Sequence, residues 1–297
     1  MKTGIIILNW NDAPTTIECL NRLRAWQRPA PEIIVVDNGS DDGSAESITA
    51  RHPDIHLVCS SINRGFAGGC NIGINKALEI GCGSIMLLNS DAGISEDDAL
   101  TLLNQLRQSS SPIILGPAIK DNSSGREILT CGGRDIARHS HTRITCSSGR
   151  HSGQSEQIVD YVPGTVLLTT DAVFKKAGLL NEDFFFSGEI AEFCARARDA
   201  GIRSLINPAI VAEHTASSSN SRLRNTLYTY YTLRNRFLYI KLRKCGTHLK
   251  LRWIAGGCAM LMLALISFNF GRARAIALAL RDGLRGQWGN RNANFGL

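Results

Sequence analysis

"SIMLLNSDA", residues 84–92, is an apolar run that stops in an amide and an acid. Residues 85–88 are apolar without alternation, the pattern of a strand buried on both faces. Asn89, Ser90 and Asp91 then end it. The same grammar recurs upstream in "TGIIILNWN" (3–11), "PEIIVVDNGSDDGS" (31–44) and "IHLVCSS" (55–61). Between these strands lie stretches with helical spacing of apolar residues. "APTTIECLNRLRAW" (13–26) carries a proline suited to a first turn, and "SAESITARH" (44–52) follows the second strand. "NRGFAGGCNIGINKALEIG" (63–81) is a glycine-rich loop running into a helix, and "SEDDALTLLNQLRQ" (95–108) opens with a serine and acids.

Strand and helix therefore alternate for more than a hundred residues. Runs apolar on both faces predict an α/β fold with a mainly parallel central sheet covered by helices. Ligands in such sheets sit at the carboxyl ends of the strands. The clusters "NWN", "DNGSDDGS", "NRGFAGG" and "NSDA" all fall at those ends, so one site is expected there. Asp91, with the Asn89 amide two positions before it, suits a hard cation such as Mg²⁺ or Mn²⁺ that keeps positions for phosphate oxygens. The competing reading is that Asn and Asp are only turn formers. Asp37 has the same duality: a carboxylate for a base or ribose, or an Asx turn. The glycine loop matches neither GxGxxG nor GxxxxGK[ST], which argues against a dinucleotide oxidoreductase. His214 ends the strand-like "IRSLINPAIVAEH" (202–214), as a metal ligand or a structural histidine.

Residues 121–158 are rich in Ser, Gly, Arg and His with little period, as in a surface segment or an extra hairpin. "IVDYVPGTVLLTTDAVFKKAG" (158–178) resumes a strand–turn–helix pattern, and "EIAEFCARARDAG" (189–201) reads as a helix. The tail is different. Residues 215–297 hold fourteen Lys or Arg against one acid, Asp282, a surplus of +13, so residues 1–214 carry −6 of the chain's net +7. Such a tail seeks an anionic partner. It also holds an apolar stretch of about sixteen residues, 253–268, fewer than the roughly 18–20 that span a bilayer. An interfacial element docked on an anionic membrane surface is expected, against the alternative of a helical hairpin packed on the body. Nucleic acid is disfavoured as the partner, because its readers seldom bury a run such as "MLMLALI" between basic residues. Nine cysteines with no CxxC spacing argue against a zinc site and a disulfide framework, and for a reducing cytosol. "MKTGIIILNW" has too short an apolar run for a signal peptide.

Taken in order, "IIILNWN", "IIVVDNGSDDGS", "NRGFAGGCNIGI", "MLLNSDA", "VPGTVLLTTDAVFKKAGLLNEDFFF", "CARARDAG" and "YYTLRNRFLYIKL" resemble family-2 glycosyltransferases of the GT-A fold, in the rhamnosyltransferase-like bacterial branch. The resemblance implies inverting transfer of a sugar from a nucleotide-diphosphate donor, with dTDP-rhamnose suggested by the branch, to a lipid-linked or cell-surface glycan. It implies a divalent cation and a cytoplasmic enzyme peripheral on the inner membrane face. It places a catalytic domain at 1–214, with a nucleotide half (1–100) and an acceptor half (101–214), and a helical extension at 215–297. Asp37 matches the base-reading position, and Asn38 beside it falls in the nucleotide and sugar pocket. Asn9 and the loop holding Asn63, Gly65, Phe66, Gly68 and Asn71 match the nucleotide and sugar pocket. Asp91 matches the last acid of a DxD-type motif whose first acid is here Asn89, and His214 matches a histidine completing the metal site.

The chain departs from the pattern after "FFF". Relatives carry two adjacent acids, one further residue and a third acid. Here Glu189 holds the first position, Ile190 replaces the second, the presumed base, and Glu192 holds the third. Ile190 cannot take a proton, so the base role passes to Glu189, with Glu192 as the lesser candidate. A nucleotide-sugar-binding protein without transferase activity is the alternative that Ile190 raises.

Overall fold

The computed structural model describes residues 1–27, 30–121, 128–146, 156–215 and 221–296, and in 121 and 221–224 the backbone only. The first half alternates as expected: β1 (Thr3–Asn9), α1 (Ala13–Arg24), β2 (Glu32–Asp37), α2 (Ser44–Arg51), β3 (His56–Cys59), α3 (Gly65–Glu79) and β4 (Ser84–Leu88). After a two-residue strand β5 (Ala92–Gly93) comes α4 (Glu96–Gln108), whose Ser95 hydroxyl accepts from the Asp98 N–H while three acids fill its first turn. Then follow β6 (Ile113–Asp121), β7 (Ile128–Gly133), β8 (Arg143–Thr145), β9 (Gln157–Val159), β10 (Val166–Thr170), α5 (Asp171–Ala177), a 3₁₀ turn (Glu182–Phe184), α6 (Glu189–Asp199) and β11 (Arg203–His214). The chain closes with α7 (Ser221–Leu242), α8 (Thr247–Ile266) and α9 (Phe270–Arg285).

The sheet order is β3-β2-β1-β4-β10-β6-β11-β5. The segment β3-β2-β1-β4 is parallel, as the apolar runs predict. Beyond it the sheet is mixed. β10 runs antiparallel between β4 and β6, while β6 and β11 are parallel with a register shift between Asn207 and Val211. Pro208 lies in that shift and has no N–H to give the ladder.

Strand alternation divides the core between two faces. Ile5, Ile7, Val35 and Met86 meet α1 and α4, whereas Ile6, Ile34, Ile85 and Leu87 meet α3, α5 and α6. A third apolar cluster joins Phe184, Phe185, Ala191 and Ala195 to Tyr230, Tyr231 and Phe237 of α7 and to α9. The helical extension thus shares a core with the body.

Two expectations change here. Cys131 and Cys146 form a disulfide across the β7–β8 hairpin, contrary to the reading of cysteine spacing. Partners brought together by strand pairing are invisible to a CxxC rule. The hairpin also gives form to the described part of 121–158, the remainder of which lies outside the described residues. The second change is α8. It begins at Thr247, before the apolar stretch, and so reaches 20 residues, long and apolar enough to cross a membrane by length and composition. It packs with α9 and α7 as a hairpin through Trp253, Gly257 and Ala264, yet leaves Met262, Leu263 and Ile266 exposed, with Phe268 and Phe270 beyond.

Candidate active site

The carboxyl ends of β1 and β2 are tied together by side chains. The Asn9 amide donates to Asp37 Oδ2 at 2.8 Å and to Ser40 Oγ at 3.2 Å, while its oxygen accepts from Thr16 at 2.7 Å. The Ser40 N–H donates to Asp37 Oδ1 at 3.0 Å. Asn38 donates to the Gly65 carbonyl at 3.0 Å and accepts from the Arg64 N–H at 3.0 Å, and Asn63 accepts from the Gly65 N–H at 2.8 Å. Asn9, Asp37 and Asn38 are all buried. These residues build the loops around the strand ends. An ionised carboxylate has about four acceptor sites, so Asp37 keeps capacity for a further donor.

The first glycine of the loop makes room for the chain's own backbone. Gly65 has φ +70, and a Cβ there would lie 2.2 Å from the Phe185 carbonyl oxygen. The close approach is to the chain's own backbone, where the Phe66 N–H donates to Phe185 O at 2.7 Å. A Cβ on Gly68 would meet Arg64 at 2.6 Å. Asn71 donates to Leu180 O and Glu182 Oε1 and accepts from the Leu180 N–H, at 2.9–3.0 Å. Gly65 and Asn71 therefore lock α3 onto the segment that leads to α6, while Gly68 makes room for the Arg64 side chain at the start of α3. Of this loop, Phe66 lines the cavity described below.

β5 pairs with the end of β11, setting His214 opposite Ala92. Asp91 Oδ1 lies 3.3 Å from His214 Nε2, although 123 residues separate them in sequence. No cluster of three or more His, Cys, Asp or Glu occurs among the described residues. One carboxylate and one imidazole fit a cation that takes its other ligands from water and phosphate, as Mg²⁺ and Mn²⁺ do. Asn89 is held beside this pair by its N–H bond to Thr165 O at 3.0 Å, and it lines the cavity.

The cavity is about 300 Å³ in volume and runs between β4, the loop before β10, the start of α6 and one face of α7. Glu189 is the first residue of α6, after Gly188 at φ +97. Its side chain is buried on the cavity wall and its Oε2 has no hydrogen-bond partner among the described residues. Burial raises its pKa from 4.5 to about 7, opposed by a bond to its own backbone N–H. Ile190 also borders the cavity, where it backs onto Gly164. Glu192 does not reach the lining. Its Oε1 accepts from Arg196 Nε at 2.7 Å, and Arg196 goes on to the carbonyls of Ala177 and Leu179. Glu192 serves that buried bridge.

What holds Glu189 in place was not legible as a role. Residues 183–188 form a tight turn with Phe185 and Ser187 at positive φ. Asn235 donates to the carbonyls of Phe184, Phe186 and Ser187 at 2.5–2.9 Å. Arg234, fully buried, donates to Asp183 O, Phe184 O and Gly289 O. The signal was present as two polar residues within the aromatic helix "YYTLRNRFLYIKL", but nothing in the pattern says which carbonyls they reach.

The sequence profile of glycosyl transferase family 2 matches residues 4–154, half of the chain. The chain belongs to this family. As a family-2 glycosyltransferase it is 29% identical over 238 residues to a low-salt glycan biosynthesis hexosyltransferase of Haloferax volcanii, covering 79% of this chain and 74% of that one. It is 24% identical over 283 residues to the N-acetylglucosaminyl-diphospho-decaprenol L-rhamnosyltransferase of Mycobacterium tuberculosis, covering 87% and 91%. Among solved structures, the mannosyltransferase of Pyrobaculum calidifontis in complex with GDP-Man and Mn²⁺ superposes with a TM-score of 0.59 at 14% identity, covering 96% of this chain and 88% of that one. The glycosyltransferase fold is therefore GT-A, with the C-terminal helices added to it.

Proposed function

We propose that this glycosyltransferase moves a hexosyl or rhamnosyl unit from a nucleoside-diphosphate sugar to a lipid-linked glycan, with inversion, and that Glu189 is the base. In a single displacement the acceptor oxygen bonds to the anomeric carbon as the bond to the donor phosphate breaks. The nucleoside diphosphate leaves with that electron pair, and the acceptor proton passes to the Glu189 carboxylate. The observation that carries this reading is Glu189 itself: a buried carboxyl on the cavity wall, one oxygen without a partner among the described residues, poised near neutral pH. Its position on the wall supports catalysis over binding alone, with Ile190 in the second acid position.

Asp37 and Asn38 would meet the nucleoside, and Asn89 and Asp91 the diphosphate. Asp91 and His214 would hold a divalent cation, which when bound offsets the charge that develops on the leaving diphosphate. The exposed apolar corner formed by Leu263, Ile266, Phe268 and Phe270, on an extension with a +13 surplus, supports seating on the anionic inner face of the cell membrane. The rhamnosyl-transferring relative, whose named acceptor is a diphospho-decaprenol, supports the lipid-linked acceptor.

The test is a thermal-shift screen of nucleotide sugars with and without Mn²⁺. Ligand binding to the native state raises the melting temperature, so one nucleotide family should do so, and more strongly with the cation. No shift with any nucleotide sugar would contradict the donor assignment.

A further inference from the structure

Two buried arginines lie two positions apart on α7, and they are used differently. Arg234 is enclosed by carbonyl oxygens and Asn235, with its Nε, Nη1 and Nη2 all donating. Arg236 is nine-tenths buried and lines the cavity. Its guanidinium lies 3.7 Å from the ring centroid of Trp253, whose own Nε1 is anchored on Ala137 O at 2.7 Å. Nη1 donates to His139 O and Nη2 to Ser140 O, both at 3.3 Å. A guanidinium has five N–H donors. Two are engaged, so three lack an acceptor among the described residues, and no carboxylate there lies within ion-pair distance of it.

A buried cation without an anion is unfavourable, and desolvation accordingly lowers the Arg236 pKa to about 10, still charged at neutral pH. The charged or titratable groups that act on it are Tyr228, Tyr161 and Arg252, and Glu189 lies on the wall of the same cavity. Hydroxyls of Thr142 and Thr232 line the same cavity. An oriented guanidinium with donors to spare, on the wall of a cavity that hydroxyls also line, is chemistry that recognises a phosphate.

We propose that Arg236 is the seat for a phosphate or diphosphate group carried by the acceptor, so that the enzyme selects a phosphorylated lipid acceptor over a neutral one. The proposal rests on the acceptor reading of this cavity. Its test measures binding without turnover, so its failure is separable from failure of the transferase assignment.

Farnesyl diphosphate, farnesol and inorganic pyrophosphate are titrated into the full chain and into Arg236→Gln and Arg236→Lys, with UDP, GDP and dTDP as donor-site controls and melting curves in parallel. The wild-type chain should bind farnesyl diphosphate at least tenfold more tightly than farnesol. Arg236→Gln should weaken farnesyl diphosphate at least tenfold while nucleoside diphosphate affinity changes less than twofold. Pyrophosphate that tracks farnesyl diphosphate places recognition in the phosphates alone; weaker pyrophosphate binding adds the lipid to it. If the glutamine variant does not fold, the lysine variant decides, with threefold or greater weakening expected from loss of the fork. Absence of farnesyl diphosphate binding, equal binding by the substituted chains, or an equal loss of nucleoside diphosphate binding overturns the proposal.

Discussion

Replacing Glu189 with glutamine should change the pH dependence of both stability and rate. Burial lifts the carboxyl from 4.5 to about 7. That difference corresponds to about 3 kcal/mol of disfavoured ionisation in the native state. Because the folded pKa is the raised one, the neutral carboxyl contributes stability that is complete below about pH 4.5 and falls as pH rises toward about 7. Above that pH the contribution is gone. Glutamine has no charge to acquire. Denaturant unfolding of both proteins from pH 4.5 to 8.5 should therefore show the variant gaining on wild type across this interval, by about 3 kcal/mol at the alkaline end. The other titrating groups cancel in the difference. Rate responds in the opposite sense, since a base must be ionised. Wild-type kcat/KM should rise with pH on a limb near 7 and level off above about pH 8, whereas the variant lacks the limb. At pH 8 the loss should be about a hundredfold or more, the scale of general-base catalysis. Parallel stability curves would refute the buried neutral carboxyl, and a retained limb would refute its catalytic use.

Asp91→Asn should abolish the Mn²⁺-dependent gain in nucleoside diphosphate affinity measured by titration calorimetry, with little loss of stability; an unchanged metal dependence would move the cation elsewhere. Asn235→Ala removes the amide whose two N–H groups are shared among the 184, 186 and 187 carbonyls and should destabilise the fold by about 2–4 kcal/mol in denaturant titration while lowering turnover. A change under about 1 kcal/mol would show that the turn holds itself. Reducing the Cys131–Cys146 bond, which closes a 15-residue separation, should cost about 3 kcal/mol if it acts on the unfolded chain, read as a lower denaturant midpoint in dithiothreitol. Changing Ile266 and Phe268 to serine should reduce flotation with anionic phosphatidylglycerol vesicles; undiminished flotation would place the membrane contact elsewhere.

The sheet's parallel half was legible because buried strands and amphipathic helices leave periodic patterns, as in "IIILN" and "IIVVD". β10 was legible as a strand but not as an antiparallel insertion, since strand direction depends on connections the pattern does not encode. The cluster of polar residues at strand ends was foreseen, and Asp91 and His214 do meet. The glycine loop was harder. Glycine reports that something comes close, and at Gly65 that something is the Phe185 carbonyl. Arg234, Asn235 and Arg236 shape the cavity from a helix assigned to the extension, because contact between distant segments has no local signature. Likewise, the three-residue spacing of Glu189 and Glu192 puts both near one helix face, but only packing reveals that Arg196 engages one while the cavity receives the other.

The central claim is that Glu189 deprotonates an acceptor in a nucleotide-sugar transferase. Transfer of radiolabelled sugar to membrane acceptors at pH 8 tests it most directly, comparing wild type with Glu189→Gln while donor affinity is measured on the same preparations. Wild type should transfer the sugar, the variant should lose at least a hundredfold, and donor affinity should stay within a few-fold. Near-normal transfer by the variant would contradict it.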